Sequence, residues 1–292
     1  MSRPRPGALR EILDTPHGAL EEAAFVLAND AYPSLALERY RRRLDDLGVE
    51  VATLTRFAAR PGSAHETAHH IDILREVLYA QAGLRGNADD YHDPRNSYLN
   101  DVLDRGLGIP ISLAVVVLAV ARRAGIAAEG VGFPGHFLVR LGARRTTREF
   151  VTDPPGSAAG VLLDPFSELR TLNHADLTTL VRRSLGPTAR ISPSHLTSCD
   201  HRAIVVRMLT NLRAIHEQRM DHRGALVVCD RLVELGAGAP ALRDRGMHAL
   251  ALGAGAVAQS DLAAYLAAAP NAPDRGEVER ALASAGRRTT WN

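Results

Sequence analysis

The chain has 292 residues, 46% of them hydrophobic but only 4% aromatic, with 35 Lys and Arg against 33 Asp and Glu for a formal net charge of +2. That near-balance gives no reason to expect nucleic acid or an anionic membrane as partner. Two cysteines, Cys199 and Cys229, exclude a disulfide framework and fit a reducing compartment.

The N-terminus MSRPRPGALREILD lacks an apolar h-region and reads as no signal peptide. The longest apolar run, Ile111 to Ala121, falls short of the ~20 residues a membrane span needs. These features predict a soluble, cytoplasmic protein of bacterial type. Residues 1–16, rich in Pro and Arg, are expected to be poorly ordered.

A first folded unit is expected over 17–186. It opens with helical patterns: AAFVLANDAYP, LERYRRRLDDLGVEVATLTRFAAR and HIDILREVLYAQAGLRGN, the last closed by Gly83. The loop ADDYHDPRNS follows, then the helix of RGLGIPISLAVVVLAVARRAGI. Strand-like segments come next: AAEGVGF, HFLVRLG, REFVTDP and GVLLDPF. Helices first and a small antiparallel sheet afterwards predict an α+β domain. Residues 187–200, rich in Pro and Ser, read as a linker. From 201 to 292 the pattern is helical, and Ala225/Ala258, Leu232/Tyr265 and Pro240/Pro273 each stand 33 apart. That spacing approaches the ~34-residue tetratricopeptide period.

The helix beginning at GIPIS is apolar nearly all round and is therefore expected at the centre of the core. Pro110 suits its first turn, and Gly125 and the arginines Arg122 and Arg123 suit its end. Ser112, in the first turn, is either a helix cap or a nucleophile beside unpaired N–H groups. A base candidate is His136, after the turn Phe133-Pro134-Gly135. Alternation puts His136, Leu138 and Arg140 on one strand face. Acid candidates are Asp164 in LLDPF and Asp153 in VTDPP. The order helix-tip nucleophile, His, Asp fits a catalytic triad; a backbone-bonded His and a turn-forming Asp are the plainer readings.

Two metal patterns are weaker. HETAHH places His65, Glu66 and His69 as HExxH, but Arg75 stands where a third ligand of the extended motif belongs. Cys199 with His195 and His201 is the other. No metal and no cofactor is expected.

The run NSYLNDVLDRGLGIPISLAVVVLAVARRAGIAAEGVGFPGHFLVR, followed by LLDPF, resembles the SirB1 family, a branch of the transglutaminase-like fold. The likeness extends through RMLTNLRAIH, RDRG and DLAAYL and covers about residues 65 to 275. It implies a papain-like α+β core, a central helix against an antiparallel sheet, with a tetratricopeptide-type tail. It also implies catalytic roles for His136 and Asp164. The catalytic Cys of transglutaminase-like enzymes lies about fifteen residues before the glycine ending that helix. Counting back from Gly125 reaches Pro110, and the first unit has no Cys. Arg95, Asn96, Tyr98, Asn100, Pro110 and Phe133 are expected around the same cleft. Function is expected to be binding of a peptide or protein, or a regulatory role. The alternative is an acyl-transfer or hydrolytic enzyme using Ser112, His136 and Asp164. The sequence is silent on the oligomeric state.

Overall fold

The structure, a computed structural model, describes residues 7–15, 19–56, 64–142 and 160–289. Contacts divide the chain into two units, residues 17–204 and residues 205–292 together with 1–16.

In the second unit, helix α1 (Ala8–Asp14) forms where a poorly ordered segment was expected. It is held because Leu9 is fully buried and the N–H groups of Leu9 and Arg10 donate to Glu234 Oε1 at 3.0 and 3.3 Å.

The first unit continues with α2 (Leu20–Ala31), α3 (Leu37–Thr55) and α4 (Ala64–Arg75), the last running on into a π-helical turn, Glu76–Gln81. The two-residue strands β1 (Arg85–Gly86) and β2 (Leu107–Gly108) pair in parallel, with α5 (Leu99–Arg105) between them. Helix α6 (Pro110–Arg123) follows, and every residue from Pro110 to Val117 is buried, as its unbroken apolar run demands. Strands β3 (Ala128–Val131), β4 (Leu138–Leu141), β5 (Val161–Asp164) and β6 (Arg170–Thr171) form an antiparallel sheet in sequence order. Helix α6 packs against β3 and β4, which is the expected core. The expected strand REFVTDP, with Asp153, lies outside the described residues.

Gly106 closes α5 with φ 70° and donates its N–H to Val102 O at 2.9 Å. A Cβ there would come 2.5 Å from Gly83 O. Gly106→Ala is therefore expected to cost at least about 2 kcal/mol, left-handed strain plus a backbone clash, read as a lower urea midpoint at unchanged m-value.

Alternation along β4 does not separate an inner from an outer face, because all four residues are buried. The second face is covered by helix α7 (His174–Leu185) and by residues 187–204. The expected linker is in fact a strap. Ser198 bridges to Val131, the Cys199 N–H donates to Gly130 O at 2.8 Å, and Ile191 and Leu196 pack on Val131, Phe133 and Leu138. Arg140, which the alternation places with His136, is buried and donates to Leu196 O.

The tail comprises α8 (His201–Gln218), α9 (His222–Glu234), α10 (Ala239–Ala251), α11 (Gly255–Ala268) and α12 (Arg275–Thr289). The spaced pairs Ala225/Ala258 and Leu232/Tyr265 occupy corresponding buried positions on α9 and α11. The period is that of a repeated helix pair whose apolar faces are covered by the neighbouring pair.

Candidate functional site at the start of the central helix

Helix α6 starts beside three backbone segments. Gly86 of β1 pairs with Gly108 of β2, and a Cβ at Gly86 would come 2.6 Å from the Phe166 ring. The missing side chain at Gly86 thus lets the turn after β5 lie close, while Gly108 lets the chain pass tightly against Ser112 and Leu113 of α6. That turn carries Asp164, and the Phe133-Pro134-Gly135 turn carries His136, whose N–H donates to Phe133 O at 3.0 Å.

His136 Nε2 and Asp164 Oδ1 are 2.7 Å apart, with both side chains largely buried. Asp164 is also the N-cap of the 3-10 turn Pro165–Ser167, accepting the Phe166 N–H at 2.9 Å and the Ser167 hydroxyl at 2.8 Å. Burial pushes the Asp164 carboxyl up. The hydrogen bond and charge of His136, with the Ser167 and Phe166 donors, outweigh it and hold the pKa below the usual 3.8. An ionised carboxylate only accepts, so the His136 proton sits on Nε2 and Nδ1 carries the lone pair in the neutral ring. Phe166 meets His136 edge-to-face at 6.4 Å and Tyr91 at 6.0 Å. The arrangement is an imidazole held in one orientation by a buried carboxylate.

Pro110 occupies the first position of α6. Ser112 is fully buried, and its hydroxyl donates to Asn96 O at 2.5 Å, with Ile109 O at 3.1 Å as a second acceptor. It accepts the Ile109 N–H at 3.1 Å. A hydroxyl has one proton, and here it goes to backbone carbonyls. The Ser112 bonds run to residues 96 and 109 and none to His136.

The loop residues divide. Asn96 ties loop to helix: its carbonyl caps α6, its Oδ1 accepts from Asn87 at 3.0 Å, and its Nδ2 donates to Asp90 O at 2.7 Å. Arg95 grips the buried Asp93 carboxylate through Nε at 2.9 and 3.1 Å while remaining 56% exposed. Its fork is thus spent on an internal acid. Tyr98 packs edge-to-face on Tyr32 at 5.8 Å, and Asn100 lies buried in α5 with Oδ1 unpartnered. Phe133 is fully buried in the cluster under β4 and does not line a cleft.

Phe166, Ser167, Gly86 and Asn87 were missed in the sequence reading. The signal for the first two was present: Asp-Pro-Phe-Ser is an acidic N-cap followed by Pro at N1. On the far side of this turn lies a polar recess of about 330 Å³ lined by Asp72, Arg75, Glu76, Tyr79 and Glu168. The Tyr79 hydroxyl donates to Pro165 O at 2.8 Å and so links the π-helical turn to the Asp164 loop. The HExxH histidines lie on α4, but among the described residues no three His, Cys, Asp or Glu side chains are placed to hold a metal.

Residues 38–210 match the family model described as Transglutaminase-like superfamily, and residues 212–283 match one described as Tetratricopeptide repeat. A UPF0162 protein of Xylella fastidiosa is 36% identical over 260 residues, which is 86% of this chain and 84% of that one. A UPF0162 protein of Pseudomonas aeruginosa is 32% identical over 218 residues, 75% of this chain and 72% of its own. F-box only protein 21 of Mus musculus is 46% identical over 70 residues, 24% of this chain but 11% of that protein. No solved structure matches.

Proposed function

This chain belongs to the transglutaminase-like superfamily, with the UPF0162, or SirB1-like, proteins, and from that premise we propose that it is a peptide- or protein-binding regulatory module without Cys-dependent chemistry. The observation that carries this reading is the combination at the tip of α6. A His–Asp pair is present, Pro110 fills the position where the resemblance places the nucleophile, and the Ser112 hydroxyl is committed to Asn96 O. An amide-transfer cycle needs a group that attacks the acyl carbon, and a His–Asp pair alone supplies none. The tetratricopeptide tail supports the binding half of the reading, since helix pairs of this kind expose surfaces suited to extended partners. Two unpaired cysteines fit a cytoplasmic setting.

The second reading, acyl transfer or hydrolysis by Ser112, His136 and Asp164, is favoured by the oriented base. It requires Ser112 to leave its two carbonyls and become exposed. A serine-directed fluorophosphonate is expected to leave the full-length protein unlabelled. A peptide array probed with the same protein is expected to show sequence-selective binding that weakens at least tenfold in His136→Ala. Labelling of the wild type that disappears in Ser112→Ala overturns the binding reading in favour of the enzyme.

A further inference from the structure

Outside the dyad, a group of titratable side chains lies in the tail, where α8, α9 and α10 bring together Glu217, His222 and His248. His222 opens α9 and His248 lies near the end of α10, and their Nδ1 atoms are 3.2 Å apart. His248 Nε2 stands 3.3 Å from Glu217 Oε1 on α8. We propose that His222 and His248 form a binding site for an imidazole-preferring divalent transition metal, zinc, nickel or copper, through their two Nδ1 atoms.

The spacing carries the first part. Two nitrogens on one tetrahedral zinc at about 2.0–2.1 Å lie about 3.3 Å apart, so the pair already spans an edge of a coordination polyhedron. Tautomer chemistry carries the second. A carboxylate only accepts, so Glu217 holds the His248 proton on Nε2 and leaves the His248 Nδ1 lone pair facing His222. A carboxylate on the outer nitrogen of a metal-binding imidazole fixes its ring and raises its basicity. The proton between the two rings belongs to His222 Nδ1; when a metal takes that nitrogen the neutral ring changes tautomer and the proton moves to His222 Nε2. Burial outweighs the opposing pull of Glu217 and, with His222 and Arg213 pushing the same way, holds the His248 ring below its usual pKa.

Access and selectivity follow from the surroundings. His222 is half-buried and His248 nearly covered, so a metal enters past His222. The neighbouring His216 is paired with Asp221 at 2.9 Å, and the Asp221 carboxylate also takes the Gly224 N–H at 3.0 Å. Among the described residues no third protein ligand converges, so water completes the shell. Two imidazoles and water suit borderline metals and not magnesium or calcium. A bound metal joins the first turn of α9 to the end of α10 and cross-links neighbouring helices of the repeat.

The test uses untagged, full-length protein stripped of metal and titrated with zinc chloride by calorimetry. One zinc per chain is expected, with no magnesium uptake. Affinity is expected to fall on acidification, by about tenfold per pH unit for each imidazolium that must lose a proton to bind. Glu217→Gln is expected to weaken zinc binding at least about tenfold, and His222→Ala to abolish it. His222→Ala is decisive if His248→Ala fails to fold, because His222 sits at a helix start and is half-exposed. X-ray absorption of the zinc form is expected to show imidazole ligation without sulfur. The absence of saturable uptake by wild type, or uptake undiminished in His222→Ala, overturns the site.

Discussion

Glu21→Ala is expected to destabilise the first unit by about 3–5 kcal/mol, the typical effect of removing one partner from a buried ion pair. Glu21 is 1% exposed and its Oε1 takes Arg122 at 2.6 Å and Arg123 at 2.5 Å. Both arginines end α6, where positive charge complements the negative helix terminus. Asp45 holds Arg123 from the other side at 2.6 Å, but that carboxylate is 60% exposed. Without Glu21 the nearly buried Arg123 keeps one solvated partner, and the end of the central helix loses its tie to α2. Burial pushes the Glu21 carboxyl up; its own backbone N–H, Arg123 and Arg122 outweigh that and leave the pKa lowered. A depressed carboxyl stabilises the fold above its unfolded pKa, so this contribution is full at neutral pH and is lost as pH falls below about 4.3. Urea denaturation followed by circular dichroism measures the effect, and a loss under 1 kcal/mol sinks the account.

Asp164→Ala is expected to cost about 3 kcal/mol, because it leaves the His136 Nε2–H, the Phe166 N–H and the Ser167 hydroxyl without their buried acceptor. Its folded pKa is also depressed, so the stability it confers is present above about pH 4 and is lost as pH falls through the folded value. The wild type is therefore expected to lose stability more steeply below pH 4 than Asp164→Ala does. Parallel acid-denaturation profiles for the two proteins contradict this. Peptide binding at the site, tested as above, is expected to fall with His136 orientation in the same variant.

The central helix was legible before any coordinates. An apolar run with Pro at its first turn, two arginines at its end and Gly125 after it has few other solutions. The tail was legible for the same kind of reason, since Ala225/Ala258 and Leu232/Tyr265 repeat a burial pattern along the chain. His136 and the two Asp-Pro acids were legible as residue types, and only the family resemblance, through LLDPF, favoured Asp164 over Asp153. Geometry joins Asp164 to His136, while Asp153 lies outside the described residues. The loop was legible only as polar. That Arg95 turns onto Asp93, or that Asn96 offers its carbonyl to Ser112, depends on where the loop backbone passes.

Residue pattern alone specifies the α+β unit, the buried helix, the repeat tail and the lack of a cysteine where family resemblance places one. Each is written in local periodicity or in a residue type at a fixed distance from a glycine, and neither needs knowledge of long-range contacts. The tertiary structure decided what the polar groups do. Ser112 donates to a carbonyl 16 residues away, residues 187–204 strap the sheet, and two histidines 26 residues apart bring their Nδ1 atoms together. A backbone acceptor is the same chemical group at every position, so a hydrogen bond to one leaves no mark in the sequence.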